Sequence, residues 1–192
     1  KLLIEVPTWL GDAIMSTPAI ENFLNFYQPS SVTIVGSYVS TQLFLKHPKV
    51  DTIIIDDTKS SNNRYLALYK LSRKLKDIDI AISFRSSFTS KVLMFLSGAK
   101  RRYYFRKSSH EQHQVLKYNG FTNSILKTDF EANDLKIYAN PHKYEKPTLG
   151  INPGATYGSA KRWYPEEFAK IAITLAPKYD IVIFGGPGET NI

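Results

Sequence analysis

The chain lacks cysteine altogether, and its 192 residues contain no long uninterrupted apolar run. Without cysteine, disulfides and thiolate zinc sites are excluded, and a cytoplasmic setting is allowed. A membrane-spanning helix needs about 18 or more consecutive apolar residues, so no transmembrane segment is predicted. Because Lys1 leads directly into the apolar Leu2, Leu3 and Ile4, the start of the sequence predicts a strand rather than a secretory leader.

Two common nucleotide-binding fingerprints are also missing, since neither Gly-x-Gly-x-x-Gly nor the Walker sequence occurs. The charge is unbalanced instead: 25 Lys and Arg residues against 17 Asp and Glu residues give a net charge of +8. Such an excess suits nucleic acid, anionic lipid headgroups or phosphorylated substrates, and does not by itself choose among them.

Short apolar, β-branched segments alternate with stretches whose apolar residues recur every three or four positions. The predicted strands are residues 2–6, 32–35, 53–55, 78–84 and 103–105. The predicted helices are residues 12–27, 65–75, 86–96 and 110–126. This alternation predicts an α/β fold, with a doubly wound parallel sheet covered by helices on both faces.

Residues 128–147 are polar, carry charges of both signs and include two prolines, which predicts a linker after a first domain at 1–127. The pattern then restarts with a strand at 148–152, a Gly-rich loop, a helix at 165–176 and a strand at 181–184. About 45 residues cannot bury both faces of a sheet, so residues 148–192 are expected to form the incomplete start of a second domain.

The loop between the first strand and the first helix ends in Gly11 and Asp12. In open α/β sheets ligands bind at the carboxyl ends of the strands, where this loop lies. Gly11 permits a tight turn or a positive φ and lets a substrate approach the backbone. Asp12 has two interpretations, as a helix N-cap or as a catalytic carboxylate. The two conflict in part, because a helix N-terminus favours the charged carboxylate and so weakens it as a base.

A second loop, residues 152–163, combines glycines and hydroxyl side chains with a Lys-Arg pair, before a helix start at Pro165. Backbone N–H groups, hydroxyls and an ammonium group are what a phosphate site requires. Glycine and serine are also common in ordinary surface loops, so residue types alone leave both interpretations open.

Residues 100–107 interleave cations with aromatic side chains, the cations being Lys100, Arg101, Arg102, Arg106 and Lys107. This pattern fits a solvated edge strand, an anionic ligand or single-stranded nucleic acid. No reader motif accompanies it, so nucleic acid is not predicted as a partner. Arg85 and Lys91, which follow a predicted strand, are further candidates for an anionic ligand, and Ser86 or Ser87 is a candidate helix cap.

No metal site is predicted. The Asp77-x-Asp79 pair lies at the start of a strand, which is the wrong end for the ligand crevice. His110 and His113 fit one helix face, but two ligands are too few for a metal.

Residues 9–20, Trp-Leu-Gly-Asp-Ala-Ile-Met-Ser-Thr-Pro-Ala-Ile, resemble the amino-terminal signature of the ADP-heptose:lipopolysaccharide heptosyltransferases, glycosyltransferase family 9. The Asn-Pro-Gly-Ala at 152–155 and the Ala-Lys-Arg-Trp at 160–163 resemble the same family, heptosyltransferase II in particular. The family's later Asp-Thr-Gly segment near a histidine does not occur in this sequence, so adenosine and heptose recognition fall outside it.

The resemblance implies the glycosyltransferase-B architecture, with a Rossmann-like acceptor domain first and a Rossmann-like ADP-sugar domain second. It implies inverting transfer of L-glycero-D-manno-heptose from ADP-heptose to the first heptose of the lipopolysaccharide inner core, with no metal or other cofactor. The acceptor is anionic and lipid-linked, which implies peripheral contact with an anionic membrane, at the cytoplasmic face of the inner membrane.

The family's site residues are carried over by position. Asp12 corresponds to the proposed general base. The donor diphosphate is expected at Thr156, Gly158, Ser159 and Lys161. The acceptor is expected at Gly11, Arg85, Lys91, Arg101 and Arg106. Heptose transfer to Kdo, a nucleotide-sugar epimerase and a non-catalytic nucleotide-binding module remain the alternatives.

Overall fold

The structure, a computed structural model, describes residues 1–107, 111–154, 160 and 162–186. The chain divides into two compact units, Lys1–Ala139 and Asn140–Ile192. Among the described residues no helix is long and apolar enough to cross a membrane.

The first unit is built on a five-stranded parallel sheet with the order β3-β2-β1-β4-β5. The strands are β1 (Leu2–Glu5), β2 (Val32–Gly36), β3 (Thr52–Ile55), β4 (Ile80–Ser83) and β5 (Arg101–Tyr104). The direction of winding reverses between β1 and β4, which is the arrangement of a Rossmann-like sheet. The predicted α/β class and parallel sheet are therefore confirmed.

Five helices lie between these strands and a sixth follows the last of them: α1 (Leu10–Met15), α2 (Thr17–Tyr27), α3 (Tyr38–Thr41), α4 (Arg64–Ser72), α5 (Phe88–Leu96) and α6 (Gln114–Leu126). Single 3-10 turns lie at Gln42–Phe44 and Thr58–Ser60. The single helix predicted at 12–27 is interrupted at Ser16, whose hydroxyl donates to the Ala13 carbonyl at 2.7 Å. Pro18 in the first turn of α2 has no N–H to continue the preceding helix, so the interruption follows from local chemistry.

Each face of the sheet carries its own buried core. Leu2, Ile4 and Val6 pack with α2 and α6 on one face, whereas Leu3 packs with α4 and α5 on the other. Side chains alternate along a strand, so β1 contributes to both cores. A central strand that is buried on both faces explains its nearly continuous apolar sequence.

The segment predicted as a linker belongs in part to the first unit, which extends to Ala139 rather than to residue 127. Residues 128–139 form no regular element, but hydrogen bonds fasten them to α2 and, through Asn119 Nδ2 and the Phe130 carbonyl, to α6. Asn22 Nδ2 donates to the Glu131 carbonyl at 2.9 Å, and the Lys136 N–H donates to Thr17 Oγ1 at 3.0 Å. Polar side chains of two helices thus satisfy backbone groups that have no sheet or helix partners.

The second unit contains β6 (Thr148–Ile151), α7 (Pro165–Leu175) and β7 (Asp180–Ile183), with the two strands paired in parallel. No bound of these elements differs from the prediction by more than one residue. Pro165 occupies the first turn of α7 as predicted, followed there by two acidic side chains that suit the helix dipole.

Candidate active site

A cavity of about 670 Å³ opens at the carboxyl edge of the five-stranded sheet. Its walls include Pro7, Thr8 and Trp9 after β1, Phe84, Arg85 and Ser86 after β4, and Phe105 and Lys107 after β5. The cavity therefore lies where the winding of the sheet reverses, which is the position at which open α/β sheets bind ligands.

Asp12 lines this cavity from the first turn of α1. The N-cap of α1 is Trp9, whose side chain makes no capping hydrogen bond, so the interpretation of Asp12 as N-cap is wrong. The helix begins two residues earlier than the sequence predicts, which moves Asp12 inside it. No described residue donates a hydrogen bond to the Asp12 carboxylate, which therefore faces the cavity with its lone pairs available.

Tyr118 of α6 lies in the wall of the same cavity. Burial raises the pKa of Tyr118, and the negative charge of Asp12 raises it further, to about 12, against a smaller opposing effect of a hydrogen bond with Gln114. The phenol is therefore neutral at physiological pH, with its proton in the field of the Asp12 carboxylate. Asp12 rather than Tyr118 is the group of this pair that can accept a proton.

Five cationic side chains line the cavity together with Asp12: Lys59, Arg64, Arg85, Lys107 and Lys117. Among the described residues only Arg85 of these five forms an ion pair. Arg64 donates to Thr89 Oγ1 at 3.1 Å, and its Nε is buried without an acceptor in the described part of the chain. One carboxylate surrounded by unpaired cations makes a site suited to an anionic ligand.

Arg85 is held by two carboxylates that the sequence analysis did not single out. Its Nη1 donates to Glu5 Oε1 at 2.9 Å and to Asp56 Oδ2 at 3.0 Å. Burial tends to raise the pKa of Asp56, but hydrogen bonds from Thr58 and Arg85 outweigh burial and hold the pKa below its ordinary value. Arg85 thus joins the ends of β1, β3 and β4, and it supports the cavity wall as well as lining it.

Glu5 is 1% exposed and is the centre of this network. It also accepts hydrogen bonds from Ser83 Oγ at 2.5 Å and Ser90 Oγ at 3.0 Å. A glutamate is almost never fully buried unless it is paired, so a glutamate inside an apolar strand was the signal that could have predicted this network.

Gly11 occupies α1 with an ordinary negative φ, and a Cβ there would meet nothing within 4 Å. The backbone therefore does not adopt the tight turn or the positive φ that glycine permits at this position. Close approach of a substrate to the backbone, which glycine also permits, stays a prediction.

The structure divides the remaining acceptor candidates. Lys91 and Arg106 line a second cavity of about 450 Å³ that shares Ser86, Phe105 and Lys107 with the first. Arg101 instead begins β5, at the amino edge of the sheet, and lines neither cavity. The structure therefore does not bring Arg101 to the site, because the strand separates it from Arg106.

The predicted diphosphate residues Thr156, Gly158, Ser159 and Lys161 lie outside the described residues, and so does His110. In the described part of the chain no three His, Cys, Asp or Glu side chains converge as metal ligands do. Asp79 lies at the amino edge of the sheet, as expected, where it binds the N-terminal amine and Lys100.

Comparison with known proteins supplies relatives over the whole chain, although no protein-family profile matches it. The lipooligosaccharide heptosyltransferase 2 of Campylobacter jejuni serotype O:6 is 39% identical over 201 residues, covering 100% of this chain and 62% of the relative. A family 9 glycosyl transferase from Veillonella parvula superposes with a TM-score of 0.81 at 22% identity, covering 98% of this chain and 63% of that one.

Two Escherichia coli structures are also similar. The ADP-heptose lipopolysaccharide heptosyltransferase II superposes with a TM-score of 0.74 at 21% identity, over 98% of this chain and 65% of that one. Heptosyltransferase WaaC with ADP-2-deoxy-2-fluoro heptose gives a TM-score of 0.72 at 16% identity, over 98% and 70%.

The sheet order and these likenesses define the fold as that of a glycosyltransferase of the glycosyltransferase-B type, as predicted. Over its whole length the chain is similar to lipooligosaccharide heptosyltransferase 2, and it shares the fold of a family 9 glycosyl transferase. It spans 62% of the length of the Campylobacter relative.

Proposed function

We propose that this protein transfers L-glycero-D-manno-heptose from ADP-heptose to the first heptose of the lipopolysaccharide or lipooligosaccharide inner core, with inversion at the anomeric carbon. The observation that carries the proposal is the Asp12 carboxylate, which faces a cation-lined cavity at the switch point of the sheet. The name of the Campylobacter relative supports heptose as the transferred sugar. The Escherichia coli structure with an ADP-heptose analogue supports an ADP-sugar as the donor.

Asp12 is the general base of the proposed reaction. It accepts the proton of the acceptor hydroxyl while the hydroxyl oxygen forms a bond to the anomeric carbon of heptose. The bond from that carbon to the diphosphate breaks at the same time, and ADP leaves with the bonding electrons. Asp12 suits this role because no described group competes for its lone pairs and the neighbouring Tyr118 is neutral.

The cations of the cavity bind the acceptor. Inner-core sugars carry phosphate and carboxylate groups, for which unpaired guanidinium and ammonium groups are suitable partners. Arg64, Lys107 and Lys117 have no carboxylate partner among the described residues, so binding an anion would not break an existing ion pair. Lys91 and Arg106, in the adjoining cavity, extend the same surface toward the next anionic group.

We propose that Thr156, Gly158, Ser159 and Lys161 hold the donor diphosphate, on the basis of their residue types and of the family resemblance. The Lys161 ammonium offsets charge that grows on the departing ADP, and no metal is then required. Lys161→Ala should lower kcat by about 10²–10³, comparable to the loss of one preorganised donor, and activity should survive EDTA. Strict dependence on a divalent cation would contradict the metal-free mechanism. Unchanged kinetics of Lys161→Ala would move the diphosphate to other residues.

The acceptor is a lipid, so we also propose that the protein acts at the cytoplasmic face of the inner membrane through peripheral contact with anionic headgroups. The basic excess of the chain, +8, is of the sign that this contact requires. Nucleic acid is not proposed as a partner.

The test is product analysis with the full-length enzyme, ADP-heptose and two acceptors, one ending in heptose and one ending in Kdo. We expect a product heavier by one heptose only with the heptose-terminated acceptor. Transfer to Kdo alone would assign the other acceptor specificity. Isomerised donor without any acceptor would identify an epimerase, and ADP binding without chemistry would identify a nucleotide-binding module.

A further inference from the structure

Helices α4 and α5 pack side by side on one face of the sheet and expose an aromatic surface. Tyr65 and Tyr69 of α4 are 60% and 50% exposed, and Phe88 and Phe95 of α5 are 68% and 67% exposed. The inward sides of the same helices are buried in the core. We name this surface the α4–α5 face and define it by Tyr65, Leu66, Tyr69, Phe88, Lys91 and Phe95.

The α4–α5 face lies in a part of the chain that contains cations and no carboxylates. Residues 58–76 include six Lys and Arg, residues 80–107 include seven, and neither stretch contains Asp or Glu. On the opposite face of the sheet, α2 carries Glu21, and the segment fastened to it carries Asp129, Glu131 and Asp134. The positive charge is therefore concentrated on the side of the molecule that also exposes the aromatic rings.

Rings and cations are interleaved on this face. The Arg102 guanidinium lies over the Phe95 ring, 5.3 Å from its centroid. Lys91 lies one helical turn from both Phe88 and Phe95 on the exposed side of α5. Exposed rings with cations and without carboxylates are the composition of surfaces that bind at a bilayer interface, where rings enter the headgroup region and cations meet anionic lipid.

The α4–α5 face borders the cavity that contains Asp12. Arg64, which precedes Tyr65, lines the cavity, and so do Ser87 and Thr89 on either side of Phe88. The amino ends of α4 and α5 therefore belong to the cavity wall, while their outer sides belong to the face.

We propose that the α4–α5 face binds the surface of an anionic bilayer, with Phe88 and Phe95 at the level of the headgroups and the neighbouring cations on anionic lipid. The face thereby holds the Asp12 cavity beside the membrane, where a lipid-linked acceptor is accessible. Bilayer binding stands on the composition of the face, whereas delivery of the acceptor rests on the proposed heptosyltransferase function.

Binding is tested by sedimentation of the full-length protein with phosphatidylcholine vesicles that contain or lack phosphatidylglycerol. The aromatic variant combines Phe88→Ser with Phe95→Ser. The charge variant combines Lys70→Gln with Arg73→Gln, two exposed cations at the end of α4 beside Tyr69. The control variant combines Tyr38→Ser with Lys46→Gln, which removes an exposed ring and an exposed cation elsewhere in the first unit.

The unsubstituted and control proteins should bind only the anionic vesicles. The aromatic variant should bind them at least about tenfold more weakly, since two rings lose apolar contact. The charge variant should lose roughly fivefold for each cation and become less sensitive to salt. Unchanged binding of the aromatic and charge variants would overturn the proposal. Binding of single-stranded oligonucleotide in place of vesicles would overturn it as well.

Heptose transfer separates this proposal from the proposed function. With a water-soluble acceptor the aromatic and charge variants should match the unsubstituted enzyme, and with vesicle-embedded acceptor they should be slower. Equal loss with both acceptors would overturn the assigned role, because it would mean damage to folding or chemistry. If the unsubstituted enzyme transfers no heptose but binds vesicles through this face, the proposed function fails and the membrane surface stands.

Discussion

The two edges of the five-stranded sheet both carry charged side chains, but they differ in how those charges are paired. At the amino edge, Asp79 accepts a hydrogen bond from the N-terminal amine at 2.6 Å and another from Lys100 Nζ at 2.7 Å. At the carboxyl edge, Asp12 and four of the five cations that line its cavity have no ion-pair partner among the described residues. The charge of Asp79 at the amino edge is thus neutralised within the protein, whereas Asp12 and most cations of the carboxyl-edge cavity are available to a ligand.

The difference is not explained by stability. Exposed ion pairs contribute little to the free energy of unfolding, so pairing at the amino edge has a small effect. Unpaired cations around one cavity repel each other and oppose folding. The buried network of Glu5, Asp56 and Arg85 fixes the wall of the cavity without neutralising the other cations.

The largest effect of a substitution at either edge is expected at Asp12. Asp12→Asn in the full-length enzyme should lower kcat by about 10²–10⁴, the usual contribution of a general base. Thermal stability should fall only slightly, because the carboxylate neither caps α1 nor accepts a hydrogen bond from a described residue, and its interaction with the helix dipole is worth less than about 1 kcal/mol. Turnover and thermal melting should be measured on the same preparation. A fall in activity that merely follows a fall in melting temperature would make Asp12 a structural residue.

The network that supports the carboxyl edge should give the next largest effect. Arg85→Ala leaves Glu5 and Asp56 as buried carboxylates without their cation and should reduce the free energy of unfolding by about 3–5 kcal/mol. Lys91→Ala, an exposed cation nearby, should change it by less than about 0.5 kcal/mol. Urea denaturation of both variants measures the difference. Equal stability of the two variants would show that Arg85 does not hold the wall.

The stability that the network of Glu5, Asp56 and Arg85 contributes should depend on pH. The folded-state pKa of Asp56 lies below its ordinary value of 3.8, so its stabilising contribution is complete above that value. The contribution is lost as pH falls through the lower folded-state pKa. In Arg85→Ala the pKa of Asp56 should rise, because a hydrogen bond and a positive charge are removed while burial remains. The loss of stability that Asp56 causes below its ordinary pKa should therefore be smaller in the variant, and it should be complete at a higher pH than in the unsubstituted protein.

The next effect in size is expected on substrate binding, which should depend on cations of the carboxyl edge and not on those of the amino edge. Arg64→Gln should raise the KM for the acceptor roughly tenfold, as expected for a lost charge-assisted hydrogen bond, and leave the KM for the donor unchanged. Arg101→Gln, at the amino edge, should change neither. A similar rise in acceptor KM for Arg101→Gln would contradict the separation of the edges. A rise in both constants for Arg64→Gln would indicate disturbed folding.

The sequence predicted those features of the two edges that depend on residues close together in the chain. A loop that ends one strand and opens a helix placed Asp12 at the carboxyl edge, and the same rule placed Asp77 and Asp79 at the other. The interruption at Ser16 and the packing of residues 128–139 were not predicted, since both depend on specific side chain-to-backbone hydrogen bonds.

The wider site depends on strand order, which the alternation of elements does not specify. Glu5 and Arg85 are 80 residues apart and meet only because β1 lies next to β4. Arg64 and Lys117 line one cavity because α4 and α6 both reach the carboxyl edge, on opposite faces of the sheet. A cluster of cations in the sequence therefore did not predict which side chains line the cavities. Arg101 and Arg106 are close in sequence but lie at opposite ends of a strand.

The smallest effect is expected at the amino edge itself, from Asp79→Asn. Hydrogen bonds from Lys100 and from the N-terminal amine lower the pKa of Asp79 to about 2. Its contribution to stability is therefore present above its ordinary pKa of 3.8 and disappears as pH falls through about 2. The variant should melt only slightly below the unsubstituted protein at pH 7, and the two curves should converge in acid. Added salt should reduce the difference at pH 7, because both partners of each pair are in contact with solvent. A large difference that persists in high salt would show that these pairs hold the first strand in place, and that the amino edge is structural rather than merely neutralised.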